Sequence, residues 1–524
     1  MSGIIEVLNE AIYQSAEFYR DYVSETLAET CKAVWQSLKD DDNDIRDEVT
    51  GFIEKEAAKY ADSKPTLAIY LYSVCLAIAP KPYHIEAGID ILLSKPDYFT
   101  KNNLHFYAYQ YQCAAFKCKE ADSLEVKLKI WQLFKVVYEY FEAEVTADLT
   151  PIPMDSRNKN LVVVITEQML SEGHGPTKTT LDRCKTLITR YNKEVLLITT
   201  NEMLTNCGEL PFFDQRVGNK NVAFADKEAF EWKGVSVPQL YLNYEMPDVN
   251  IINEMLVYIR KLAPSRIVVI GGMSILANLA DKMIPAIDVG LSPSELEPSC
   301  VRYQTLGKKL EENELYLMEK IGLPKEHAVE CIFTSGLKEQ EGTMERSLFG
   351  IPENAFVMTV IGGRLYEEVD KEFLNMLESI WQDDFFILFL GRFSHNEEVL
   401  PKFEKISKAY HIDRVEDILA ALELCDLYVN PIRRGGGTSC VEAMFKGVPV
   451  VTTAYGDVPA NTGEEFIVAD YKEMGDTITR YYNDIDFYRE KSAIAKKRAE
   501  ILLDTDGEFV RIMDEVERRE RENK

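Results

Sequence analysis

Up to about residue 150 the apolar positions recur at helical spacing. Ile5, Leu8 and Ile12 open the pattern, and SLEVKLKIWQLFKVVYEYFEAEV closes it. Side chains three and four residues apart share one face of an α-helix, so this spacing predicts amphipathic helices packed on one another. Breaks at DDDND, DSKP, APKP and SKPDYFTKNN divide the region into about six of them. No fixed repeat period emerges. The Pro-containing linker DLTPIPMDSRNKN then closes an all-helical domain over residues 1–155.

Beyond the linker the period changes. LVVVITEQ, EVLLITT, SRIVVIGG and PAIDVGL are short apolar runs separated by helical stretches, the pattern of buried parallel strands with crossover helices. A second series follows: AFVMTVIGG, FFILFLG, CDLYVNP, VPVVTTA and FIVAD. The predicted class is α/β, with two tandem Rossmann-like domains, 156–340 and 341–485, behind the all-α domain. Residues 486–524 are expected to be helical and to end in a charged, solvated tail, RRERENK. Two doubly wound units in tandem face a cleft, and ligands favour the carboxyl ends of their strands.

Composition narrows the partners. A chain of 524 residues fits roughly three domains at about 150 residues each, and 46% hydrophobic residues supply their cores. A formal charge of −28 repels nucleic acid and anionic membrane, so an anion site must be a local positive island. The start, MSGIIEVLNEAIYQSAEF, has neither the basic nor the apolar part of a signal peptide. TLAIYLYSVCLAIAP stops at Pro80, short of the ~20 residues that span a bilayer. A cytoplasmic location without a transmembrane segment is expected. The ten cysteines form no CxxC pair, Cys113 and Cys118 are too far apart for a zinc knuckle, and all read as reduced core thiols. Asp40-Asp41-Asp42 reads as a solvated turn rather than a metal site.

The positive island is NPIRRGGGTSCVEAM, Asn430 to Met444. It joins the strand CDLYVN to a helix that ends near Gly447 and Pro449, so its glycines sit where helix N-terminal amides point outward. A P-loop would need lysine after the last glycine, where Thr438 and Ser439 stand. A dinucleotide fingerprint would need glycine at Cys440. Both fail. What remains is a flexible loop with Arg433 and Arg434, suited to bidentate pairing with a phosphate. Ser439 and Glu442 also spell a capping box, which would stabilise the helix start without any ligand.

The stretch EAMFKGVPVVTTAYGDV resembles the donor-binding signature of GT-B glycosyltransferases, close to E-G-x-G-x-x-x-x-E-A-M-x-x-G-x-P-V-V and a glycine turn. EAM, Gly447, PVV and Gly456 match. The resemblance implies that Glu442 holds the nucleotide ribose and that Gly436, Gly437, Thr438 and Ser439 receive the diphosphate. The signature's first glutamate falls eight positions before Glu442, at Arg434, a departure from the commonest retaining family 4 pattern. TVIGGRLYEEVDKEF resembles the family's G-R-L element, whose arginine contacts the diphosphate, here Arg364. The usual lysine five residues on is Val369, with Lys371 two positions beyond, while Gly391-Arg392 reads as structural. The implied donor site is Gly363, Arg364, Asn430, Arg433, Gly435, Gly436, Gly437, Thr438, Ser439 and Glu442, with Arg364 and Arg434 offsetting charge on the leaving group.

On the other side of the cleft, VVVITEQMLSEGHGPTKTTLDRCKTLI places His174 between two glycines at the tip of a strand-to-helix loop. An imidazole there suits a general base, with Glu172 as the alternative and Lys178 close by. Leu181, Cys184, Ile188 and Tyr191 mark the buried face of the helix that follows. A helical domain ahead of GT-B is similar to the arrangement in bacterial family 41-like protein glycosyltransferases. The implied reaction moves a sugar from a nucleotide-sugar, UDP-linked by expectation, to a protein or glycan acceptor, with no metal and no other cofactor. A lipid-linked or polysaccharide acceptor, a catalytically silent GT-B partner subunit and a GT-B epimerase stay open, as does a homo-oligomer.

Overall fold

The computed structural model describes residues 2–38, 43–203, 221–394, 396–403, 406 and 408–522; Asp40, Asp41 and Asp42 lie outside them. The first 144 residues form helices at Ser2–Ala16, Glu25–Ser37, Asn43–Tyr60, Pro65–Ile78, Pro82–Ser94, Lys101–Lys117 and Leu124–Glu144. The sequence pattern runs the first two together. Ser24 separates them by capping the second, its hydroxyl accepting from the Leu27 amide at 3.2 Å. Pro65 and Pro82 stand in first helical turns, where the missing N–H costs nothing. The apolar stretch Pro65–Ile78 is buried on nearly every side, which accounts for its hydrophobicity. Among the described residues no helix is long and apolar enough to cross a membrane.

Among the described residues eight strands follow: β1 Asn158–Thr166, β2 Glu194–Thr199, β3 Ala229–Trp232, β4 Val235–Tyr241, β5 Pro264–Ile270, β6 Ala286–Val289, β7 Tyr303–Leu306 and β8 Ala328–Glu330. They form one sheet in the order β3-β4-β2-β1-β5-β6-β7-β8. Its ladders are parallel except for the β3–β4 hairpin, which turns at Lys233 and Gly234, both with positive φ. The order reverses at β1, so the loops after β1 and β5 flank a topological switch point. The second sheet contains β9 Phe356–Ile361, β10 Phe385–Leu390, β11 Ala409–Ile412, β12 Leu427–Val429, β13 Val450–Thr453 and β14 Ile467–Val468. Their order is β11-β10-β9-β12-β13-β14. The chain is therefore two parallel-sheet Rossmann-like units behind an all-helical region.

The C-terminal stretch is helical to Glu522, and Arg518, Arg521 and Glu522 of its tail are exposed, while the helices themselves are more buried than their charge suggests. The helix Ile485–Leu502 packs Ala495, Ala499 and Leu502 into the core of the second unit. The last helix, Thr505–Glu522, crosses back and buries Phe509, Ile512, Met513 and Val516 in the core of the first. Most of its charges are on the opposite face; of the two buried acids, Glu508 accepts from the Ile332 amide at 2.8 Å and Glu520 takes a bidentate pair from the buried Arg266 at 3.0 and 2.7 Å. High charge disguised a half-buried helix.

Candidate functional site

The Asn430–Gly436 loop leaves the carboxyl end of β12. Asn430 is fully buried and donates from Nδ2 to Thr452 Oγ1 on β13 at 3.1 Å. The helix Gly437–Lys446 starts from Gly436, whose φ of +102 suits glycine. A side chain at 436 would also meet Arg433 Nη2 at 2.8 Å and the Tyr428 hydroxyl at 2.9 Å. Because Gly436 takes the cap, the helix begins early, Ser439 lies inside it, and the Ser439–Glu442 capping box does not form. Glu442 instead lies 3.7 Å from Lys178 Nζ across the cleft, with burial raising its carboxyl above the usual range.

The three arginines have unequal roles. Arg433 is buried and donates from Nη1 to Glu368 (2.6 Å), from Nη2 to the Ile361 carbonyl (2.7 Å) and the Tyr428 hydroxyl (3.0 Å), and from Nε to Asn430 (2.8 Å). It ties the ends of β9 and β12 to the loop. Arg434 is buried between the carboxylates of Glu295 and Asp122, to which it donates. Arg364 donates to Glu368 at 2.8 Å and lies over the Phe116 ring at 5.2 Å. Its side chain is 31% exposed, against 2% for Arg433 and 5% for Arg434, so of the three it is the one that reaches solvent. Burial pushes the Glu368 carboxyl up, but Arg433 and Arg364 outweigh that and hold it below the usual range.

The glycines divide the same way. Gly363 has open space where a side chain would be, and Gly435 faces Arg364 Nη2 at 3.2 Å. Gly362 is crowded, since an added Cβ there would overlap Arg433 Nη1. Lys371 is exposed at the first turn of Lys371–Ile380, and its neighbour Asp370 pairs with Lys119 of the helical domain at 2.7 Å. Gly391 is structural: a Cβ would overlap the Gly362 carbonyl. Gly456, at φ +88, brings its turn against the arginine loop, where an added Cβ would overlap the Arg433 carbonyl. Gly456→Ala is therefore expected to displace the loop and lower the melting temperature of the second unit by several degrees. An unchanged melting curve would show that the two turns separate freely.

Across the cleft, His174 caps the helix Gly175–Thr189 by position, with Pro176 in its first turn. Burial first, and Lys178 second, lower its imidazole to about 4, so it is neutral at pH 7. Glu172 is exposed and 3.9 Å from Lys227. The helix starts of the two units meet here, a Cβ on Gly175 lying 3.8 Å from Thr438 Oγ1. The space between them, lined by residues including Lys178, Phe333, Ser335 and Thr438, is about 50 Å³.

Several participants have no signature in the sequence. Ser292 and Ser294, in the loop after β6, donate to Asp457 of the second unit at 2.8 and 3.0 Å. Glu297 secures that loop by accepting from the Gly272 amide at 3.0 Å and the Leu291 amide at 2.5 Å. Beneath it lie three more buried acids: Glu167 directly after β1, Glu202 after β2 and Asp288 on β6. Burial raises all four, Glu167 to about 8 and Glu202 and Glu297 to about 7. Of the residues around Arg433, only Glu368, four positions after Arg364, has a spacing that single-sequence reasoning could have used.

Residues 358–484 match the family model described as "Glycosyl transferases group 1". No curated protein matches the chain by sequence. Among solved structures, an O-GlcNAc transferase mutant from Thermobaculum terrenum aligns over 99% of this chain and 97% of its own, at 13% identity and TM-score 0.55. A glycosyltransferase from Rickettsia africae aligns over 68% of this chain and 97% of its own, at 12% identity and TM-score 0.52. The apo lipopolysaccharide outer core galactosyltransferase WaaB aligns over 68% and 99%, at 12% identity and TM-score 0.50. These likenesses establish the fold, and the family match establishes the enzyme class.

Proposed function

We propose that this GT-B glycosyltransferase moves a sugar from a UDP-linked donor to a polypeptide side chain without a metal. The observation that carries the reading is the meeting of two helix starts, Gly175–Lys178 and Gly437–Ser439, with Arg364 free to reach solvent beside the second. Amides at helix N-termini and a fixed guanidinium offset the charge of a departing diphosphate. Glu442 accepts from the ribose hydroxyls, and Lys178 adds a second cation. Arg433 and Arg434 shape the loop from behind. His174 takes the acceptor proton; a diphosphate beside it would raise its basicity from about 4 toward neutrality. Nucleotide sites have volumes of several hundred Å³, so the seam of about 50 Å³ must widen as the donor binds. The polypeptide acceptor is supported by the likeness to the O-GlcNAc transferase, which runs through the helical domain.

The test is a thermal-shift and turnover series. UDP is expected to raise the melting temperature of the wild-type protein, and Glu442→Ala to abolish the shift without unfolding the apo protein. UDP-sugar turnover should survive EDTA. A wild-type protein with neither shift nor turnover would favour the silent partner subunit, a reading that the internally paired Arg433 and Arg434 support. Turnover lost to EDTA and restored by a divalent cation would remove the metal-free mechanism.

A further inference from the structure

Arg434 occupies the junction of all three units. Its guanidinium donates to Asp122, between the helices Lys101–Lys117 and Leu124–Glu144, and to Glu295 in the loop after β6. Lys127 closes the figure, 3.1 Å from Glu295 and 3.5 Å from Asp122. Charges therefore alternate around a four-membered ring: Asp122 and Lys127 from the helical domain, Glu295 from the first α/β unit, Arg434 from the donor loop. Aromatic rings border the guanidinium, Phe116 at 5.8 Å and Tyr455 at 6.0 Å, and the Tyr455 hydroxyl donates to Asp122 at 3.2 Å. The same Phe116 ring lies under Arg364. Asp122, Glu295 and Arg434 side chains are each no more than 10% exposed.

A buried guanidinium with two carboxylate partners holds one geometry, because losing either partner leaves an unpaired charge away from water. The backbone of Arg434 is held as well, its carbonyl accepting from the Asp457 amide at 2.8 Å. Two residues further along the chain, Gly436 starts the helix whose amides face the seam.

We propose that Asp122 is a positioning residue for the donor site. Acting through Arg434, it fixes the Pro431–Gly437 loop, so that the helical domain forms part of the donor half of the enzyme as well as an acceptor platform. The inference rests on the UDP-donor reading above. Asp122 does not touch the donor; it sets where Arg434, and hence the following helix start, stands. This gives the helical domain a direct mechanical connection to the leaving-group end of the cleft.

The experiment is a double-mutant cycle on the full chain, Asp122→Ala, Arg434→Ala and both together, read by UDP affinity in calorimetry and by donor KM and kcat. Wild-type UDP binding is measured first; its absence would overturn the donor reading itself. Given wild-type binding, Asp122→Ala is expected to weaken UDP by about tenfold or more, with most of the loss in donor KM. Adding it to Arg434→Ala should cost almost nothing further, because the two act as one. Asp122→Glu, which keeps the charge, should recover part of the affinity. A helical domain that merely stabilises the chain would lower the melting temperature and leave UDP affinity alone. UDP affinity that is unchanged or tighter in a folded Asp122→Ala protein, or fully additive losses, would overturn the proposal. Should Asp122→Ala fail to fold, Lys127→Met and Asp122→Asn carry the same test from the two sides of the ring.

Discussion

Arg433→Met should yield a protein whose second unit melts well below the wild type and which no longer binds UDP. The side chain is buried and each guanidinium nitrogen is engaged, so a thioether of similar length fills the space but makes none of the bonds. Four acceptors lose their donor at once. Glu368 retains Arg364 alone, at the more exposed end of the pair. Removing one partner of a buried, hydrogen-bonded ion pair costs about 3–5 kcal/mol, which lowers the melting temperature of a domain this size by roughly 10 °C. Arg433→Lys should rescue little, since one ammonium cannot reach Glu368, Ile361, Tyr428 and Asn430 together. Glu368→Gln in the Arg433→Met background should recover part of the stability, because the stranded charge is then gone. An Arg433→Met protein with the wild-type melting curve would mean that the loop is held by its glycines and Asn430 alone.

Arginines beside a glycine loop signal an anion, and the anion that Arg433 meets in the structure is Glu368, while Arg434 meets Asp122 and Glu295. Spacing along the chain exposes the i,i+4 relation of Arg364 and Glu368. It cannot expose partners that fold in from 139 and 312 residues away. The two α/β units were legible because parallel strands buried on both faces are continuous apolar runs, and β1, β2, β5, β6 and β9 all have that form. The β3–β4 hairpin was not, as only Phe230 and Val237 are buried in it and the other positions are exposed or half-buried. Strands β7 and β8 escaped through brevity and polar content: Gln304, Thr305 and Glu330 interrupt their apolar positions. The last helix was expected, but its buried face was not, because its mean composition is charged, although its buried positions Phe509, Ile512, Met513 and Val516 keep helical spacing. The start of the donor helix was misplaced by three residues, since a side-chain cap can be read from a sequence more readily than a glycine in the left-handed region.

The buried acids of the first unit predict an unusual pH dependence. Glu167, Glu202 and Glu297 hold their protons in the folded state to about 8, 7 and 7, chiefly because burial disfavours the charged forms. Unfolding returns them to ordinary carboxylate values near 4.5. Between those limits the folded chain binds more protons than the unfolded one, so stability is full below about pH 4.5 and is lost as the pH rises through 7 and 8. The melting temperature should therefore fall from pH 6 to pH 8.5, opposite in sign to the contribution of Glu368, whose depressed carboxyl matters only on the acid side. Glu167→Gln keeps the shape and removes one titrating group. It should leave stability at pH 5 nearly unchanged and raise it at pH 8.5, flattening the slope by up to about 1.4 kcal/mol per pH unit. The consequence extends to the cleft, because Glu297 secures the loop whose Ser292, Ser294 and Glu295 grip the donor unit. Donor KM should rise over the same interval in the wild type and less in Glu167→Gln, whose removal of one neighbouring charge eases the ionisation of Glu297. A melting temperature that is flat between pH 6 and 8.5, or a Glu167→Gln protein that is less stable than the wild type at pH 8.5, would show that these carboxylates ionise freely in the folded chain.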